Sequence, residues 1–121
     1  AGVWLARDEG TNWTWQSDIP VRAGEMHAIQ AADGTILVQV RDKVTTTNAA
    51  GVAVTTNTGT RQTESADGGR TWTPQHDIGV QGYPSHLLRR RDDSLVMTYG
   101  QRTKPYGIRA RVSRDHGRTR I

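Results

Sequence analysis

Six side chains in this sequence have the types and positions to contact an anionic ligand or move a proton: Glu25, His27, Arg41, Tyr83, His86 and Arg102. An arginine fork meets a carboxylate in two-point geometry, so Arg41 and Arg102 lead as anion contacts. Imidazole titrates near neutral pH, which suits His27 and His86 to proton transfer. They occupy the same position in an internal repeat, however, and that favours a structural or ligand-contact role over catalysis. Tyr83 offers an oxygen nucleophile, but no carboxylate beside it is identifiable from the sequence. Asp18, Arg22, Asp42, Lys43, Asp77, Lys104 and Tyr106 complete the shortlist. None of these residues sits in a motif specific enough to name a nucleophile or an acid/base, and the catalytic residues stay unassigned.

Composition removes several chemistries. The 121 residues contain no Cys, so disulfides and thiolate metal sites are excluded. There is no His-Glu-x-x-His, no phosphate-binding Gly loop and no Gly-x-Ser-x-Gly, and neither a metal nor a cofactor is expected. No stretch approaches the roughly 18–20 apolar residues of a membrane-spanning helix. The net charge of +4 invites a nucleic-acid reading. The basic residues, concentrated from Arg89 onward, are instead spread over turns and alternating strand faces without interleaved aromatics, which argues against it. Asn12-Trp13-Thr14 has the form of a glycosylation acceptor, but it lies in a turn whose Trp is expected to pack, and it is discounted.

The elements that position these residues come from a repeat. Asp8, Gly10, Trp13, Thr14, Gln16, Asp18, Ile19, Val21, His27 and Asp33 recur 59 positions later as Asp67, Gly69, Trp72, Thr73, Gln75, Asp77, Ile78, Val80, His86 and Asp92. A third copy of the turn begins 48 residues after the second, at Ser113-Arg114-Asp115-His116-Gly117-Arg118-Thr119. The 11-residue difference is assigned to the Thr/Asn/Gly-rich stretch 45–60. Repeats of about 40–50 residues built from short strands point to an all-β propeller of four-stranded antiparallel blades.

Within each repeat the first strand is expected at 26–30 and 85–89, and the second at 35–41 and 94–99. The third is expected at 60–65 and 107–112, with Arg109 and Arg111 on one face. A short fourth strand carries Trp13 or Trp72. Turn chemistry marks Ala32-Asp33-Gly34 and Asp92-Asp93-Ser94. The repeated turns then lie at one end of the sheets. Loops 16–26, 41–59, 74–85 and 100–106, with the shortlisted residues, lie at the other.

The middle turn, Ser65-Ala66-Asp67-Gly68-Gly69-Arg70-Thr71-Trp72, is a complete Ser-x-Asp-x-Gly-x-x-Trp. An Asp carboxylate in such a turn can accept several backbone N–H bonds, and Gly supplies a positive φ. This pattern resembles the Asp-box, or BNR repeat, of the sialidase superfamily, and the resemblance covers nearly the whole chain. Its structural positions here are Asp8, Gly10 and Trp13; Ser65, Asp67, Gly69 and Trp72; Ser113, Asp115 and Gly117. Ala6 departs from the Ser of the first box, and Arg120 from the Trp of the third. The Asp-box carries architecture rather than function.

The resemblance implies a fold and an activity. Residues 1–121 are expected to be about two blades of a six- or seven-bladed propeller, completed by the remaining blades of a longer parent. The open strand at Gly2–Leu5, the stop after a turn motif and an apolar fraction of 34% prompt the same expectation. The parent is expected to be a glycoside hydrolase that removes terminal sialic acid, with the two blades alone inactive. Sialidases use an arginine cluster for the substrate carboxylate, an acid/base Asp and a Tyr nucleophile activated by Glu. The implied partner is a sialylated or other anionic carbohydrate. The alternatives are a non-catalytic Asp-box module binding glycan or protein, and another propeller glycosidase or polysaccharide lyase. By resemblance alone the protein would be bacterial and secreted or periplasmic.

Overall fold

The computed structural model describes residues 1–22 and 24–119, and the chain is all-β: these residues contain no helix and form nine strands in three antiparallel sheets. The first sheet pairs β1 (Gly2–Leu5) with β2 (Thr14–Asp18). The second runs β3 (Met26–Gln30), β4 (Ile36–Thr47), β5 (Ala53–Ser65) and β6 (His76–Val80). The third runs β7 (Gly82–Arg89), β8 (Leu95–Gln101) and β9 (Gly107–Ser113). Strands adjacent in sequence are adjacent in each sheet, as short connections require. Two of the tight turns are closed by carboxylates. Asp33 accepts the Thr35 N–H at 3.0 Å and Asp92 the Ser94 N–H at 3.1 Å.

The sequence repeat is a repeat of the contact between sheets. Ile19 and Val21 pack against Val38 and Val40 of β4, with Val3 and Trp72 at the margin. One repeat later Ile78 and Val80 pack against Met97 and Tyr99 of β8, with Leu87 and Ile29. Equivalent positions thus meet equivalent positions across successive seams. Alternation along the strands makes this possible, because each sheet turns one set of side chains to each neighbour.

The 11-residue difference between repeats is a longer hairpin. Pairing of β4 with β5 runs from Ile36↔Ser65 out to Thr47↔Ala53, whereas β8 and β9 separate after Gln101↔Gly107. Most of the stretch 41–59, expected as a loop, is therefore strand. Its β-branched Val and Thr residues suit a pleated ribbon without needing burial. Asn48 closes the tip, its Oδ1 accepting the N–H groups of Ala50 and Val52, both at 3.0 Å. A register shift at Asp42/Lys43 marks where the ribbon leaves the sheet.

Two further expectations are corrected. Trp13 and Trp72 precede β2 and β6 rather than lying in them. Trp72 is half-buried against the first sheet, but Trp13 is 59% exposed. The difference is the neighbour: no sheet among the described residues stands before β1–β2 to cover Trp13. The eighth position of the third turn, Arg120, lies outside the described residues.

Candidate anion-binding site

The Asp carboxylates of the three repeated turns are satisfied from within the turns. Asp67 accepts the hydroxyls of Ser65 and Thr71 and the N–H groups of Thr71 (2.8 Å) and Arg70 (3.0 Å). These donors, the Thr71 hydroxyl first, hold its pKa down to about 2. Asp115 repeats the arrangement with Ser113 and Thr119, and its pKa is likewise held to about 2, chiefly by the Thr119 hydroxyl. At Asp8 the backbone N–H and side-chain amide of Asn12 take over, at 2.9 and 2.7 Å, and lower its pKa. A carboxylate so occupied is a poor proton donor and has little reach for a ligand.

The turns also stitch sheets together. Ser17 donates to the Gly69 carbonyl, and Trp72 Nε1 donates to the Ser17 hydroxyl at 3.0 Å. Gln62 donates to the Gly117 carbonyl at 3.3 Å. Gly117 sits at φ 88°, and a Cβ there would stand 2.0 Å from Leu37 Cδ2. Asn12 is discounted as a glycan acceptor for a different reason from that expected: its amide is bonded to Asp8, while Trp13 beside it is not packed.

At the opposite end the structure brings four of the six leading candidates together. Glu25 stands at the entry to β3, Arg41 on β4, Tyr83 on β7 and Arg102 just past β8. The Arg41 guanidinium carbon lies 4.2 Å from the centre of the Tyr83 ring, and that of Arg102 lies 5.0 Å from it. Tyr83 is 8% exposed, so each cation meets the face of a largely desolvated ring. Arg102 Nε donates to the Tyr83 carbonyl at 3.2 Å, which ties the base of the guanidinium to that backbone. Arg41 Nη1 donates to both oxygens of Glu25, at 3.2 and 3.1 Å, and Nη2 reaches Asn57 Oδ1 at 3.4 Å. A shallow cavity of about 240 Å³ lies between Gly24, Glu25, Arg41 and Lys43. Two guanidinium groups thus share one ring, and among the described residues only Arg41 has a carboxylate partner.

His27 and His86 meet separately, their ring centres 4.3 Å apart. Nδ1 of His27 accepts the Leu87 N–H at 3.1 Å. Among the described residues β7 has no strand paired on that side, so His27 satisfies a backbone donor on a sheet edge. Acceptance at Nδ1 requires the neutral ring, and burial, followed by the charge of His86, lowers its pKa.

The remaining candidates scatter. Asp42 is buried on the face of β4 that carries Val38 and Val40, with Arg61 Nε at 3.9 Å. Asp77 accepts the Gly79 N–H at 2.7 Å, a local bond. Arg22 donates to the Lys43 carbonyl at 3.4 Å, at the margin of the cavity. Asp18, Lys104 and Tyr106 are exposed and outside the cluster. Sequence reasoning missed Asn57. Its only signal was proximity to Arg41 in a paired strand, which requires the hairpin register.

A second cavity, of about 210 Å³, opens between the second and third sheets, against Gln39, Gln62, His76, Ile78 and Met97. Ile78 and Met97 are the repeat counterparts of Ile19 and Val38, which surround Trp72 in the preceding seam. Its position makes it a packing seam, remote in role from the arginine cluster.

No family model and no curated protein matches the sequence. Among solved structures, a protein of unknown function from Dyadobacter fermentans DSM 18053 is similar over 92% of this chain, with a TM-score of 0.71 and 28% sequence identity. The chain spans 29% of the length of that protein.

Proposed function

We propose that this chain is part of a sialidase-type β-propeller glycoside hydrolase, in which the Arg41–Tyr83–Arg102 cluster recognises the carboxylate of an acidic sugar. One observation carries the site reading: two arginines from neighbouring sheets converge on one buried tyrosine. Two cations within 5.0 Å of one ring centre concentrate positive charge there, and that favours an anion. Among the described residues Glu25 offsets Arg41 alone, and a carboxylate suits the terminal nitrogens of Arg102. Release of sialic acid is the leading activity by resemblance.

The propeller reading rests on the repeated seam. Leu88 and Val96 of the third sheet are the repeat counterparts of Ile29 and Leu37, which pack against that sheet. Leu88 and Ile108 are exposed, and on the opposite side of the molecule so are Trp4 and Trp15. Further sheets of the same repeat would cover both faces, and six or seven such sheets would close a ring. The solved relative has the length for them.

A non-catalytic glycan-binding module is the second reading, and one observation favours it. The carboxylate of the cluster, Glu25, is engaged by Arg41 rather than by the Tyr83 hydroxyl. A tyrosine nucleophile needs such a partner.

The deciding experiment offers the intact protein a fluorogenic sialoside and a neutral glycoside. Turnover of the sialoside alone, reduced by Arg102→Ala, supports the hydrolase. Saturable binding of the sialoside without turnover supports the module. Absence of both turnover and binding would overturn the acidic-sugar reading.

A further inference from the structure

Glu25 has a role that the acidic-sugar reading does not assign. Its two oxygens lie 3.2 and 3.1 Å from Arg41 Nη1, and Asn57 Oδ1 lies 3.4 Å from Nη2. A bound carboxylate would need those same terminal nitrogens. The backbone keeps Glu25 in place, because the Arg41 N–H donates to the Glu25 carbonyl at 2.9 Å. Gly24 permits that approach: a Cβ there would stand 2.7 Å from the Arg41 carbonyl oxygen. The side chains themselves are in water, at 50% exposure for Glu25 and 34% for Arg41.

We propose that Glu25 is an internal competitor for the anion site, occupying Arg41 until a ligand carboxylate displaces it and so setting the affinity of the site for negative charge. The proposal rests on the acidic-sugar reading above. Exposed ion pairs contribute only about 0–1 kcal/mol, so a ligand that also engages Arg102 can exchange with Glu25 at little cost. Tyr83 beneath the guanidinium and Asn57 beside it hold Arg41 in position during the exchange. Glu25 is therefore a specificity residue that acts through Arg41. The departing carboxylate stays tethered next to the site, where it repels a second negative charge and disfavours ligands more anionic than a monocarboxylate.

The test measures binding of the methyl glycoside of N-acetylneuraminic acid, and of its uncharged methyl ester, to the intact protein by calorimetry at fixed low salt. Glu25→Gln is expected to tighten the acid roughly two- to fivefold, the span of an exposed ion pair, and to leave the ester unchanged. Arg41→Ala in the Glu25→Gln background should erase the gain. If the wild type binds the acid and Glu25→Gln binds it no better, or more weakly, the competitor role is overturned while the site reading stands. If neither protein binds the acid, both fall. Matched melting temperatures for wild type and Glu25→Gln check that the exposed substitution leaves the fold intact.

Discussion

Nδ1 of His27 accepts the main-chain N–H of Leu87 at 3.1 Å, joining β3, an edge strand of the second sheet, to β7, an edge strand of the third. The bond needs a neutral imidazole, and the His86 ring 4.3 Å away further disfavours charge. Because the folded pKa lies below that of the unfolded chain, the unfolded state binds the extra proton. The stabilisation is complete above about pH 6.5 and is lost as pH falls through the lowered folded value. Urea midpoints of the wild type should fall between pH 7 and 5. His27→Asn, which keeps an acceptor without titrating, should flatten that limb; equal slopes in the two proteins would refute the assignment.

The first repeated turn lacks the serine hydroxyl that the other two share. Ser65 is 1% exposed, and its oxygen accepts the Gly69 N–H at 2.9 Å. Ser65→Ala leaves that donor unsatisfied and should cost about 1–3 kcal/mol in urea unfolding. Ala6 occupies the same place in the first turn, so Ala6→Ser should add up to about 1 kcal/mol. A neutral Ser65→Ala would show that water replaces the hydroxyl.

Acid should act through the same turns. Asp67 and Asp115 have folded pKa values of about 2, depressed by their hydroxyl and backbone donors. Their contribution is present above the unfolded carboxylate value near 4 and is lost as pH falls through about 2. Carboxyl NMR titrations should place both groups well below the ordinary Asp value of about 4. Asp67→Asn should make stability less dependent on pH across that window.

Trp72 and Trp13 share a repeat position but not an environment. Trp72 packs with Ile19, Val21, Val38 and Val40, while Trp13 is 59% exposed. Trp72→Ala is expected to destabilise by about 3 kcal/mol, and Trp13→Ala by less than about 1 kcal/mol. Comparable losses would mean that Trp13 is covered in solution by something further.

The sequence by itself determined the turns and the repeat. The bonds of Asp67 and Asp115 run over two to four residues, so residue types in a short window dictate them. Alternation in Ile108–Val112 likewise revealed which side chains share a face. The seams followed as well, because Ile19 and Ile78 are equivalent in both sequence and packing.

Only the tertiary structure decided the site. Arg41 and Arg102 were single candidates on separate loops until two sheets, stacked face to face, set both against Tyr83. Asn57 entered through the register of a hairpin that had looked like loop. Glu25 had been a ligand contact on paper and became the partner of Arg41. Trp13 and Trp72, identical as motif residues, parted because burial depends on which sheet stands in front. The physical reason is range: hydrogen bonds within a turn are written in neighbouring residues, whereas charge pairing and burial depend on which distant surfaces the packed sheets bring together.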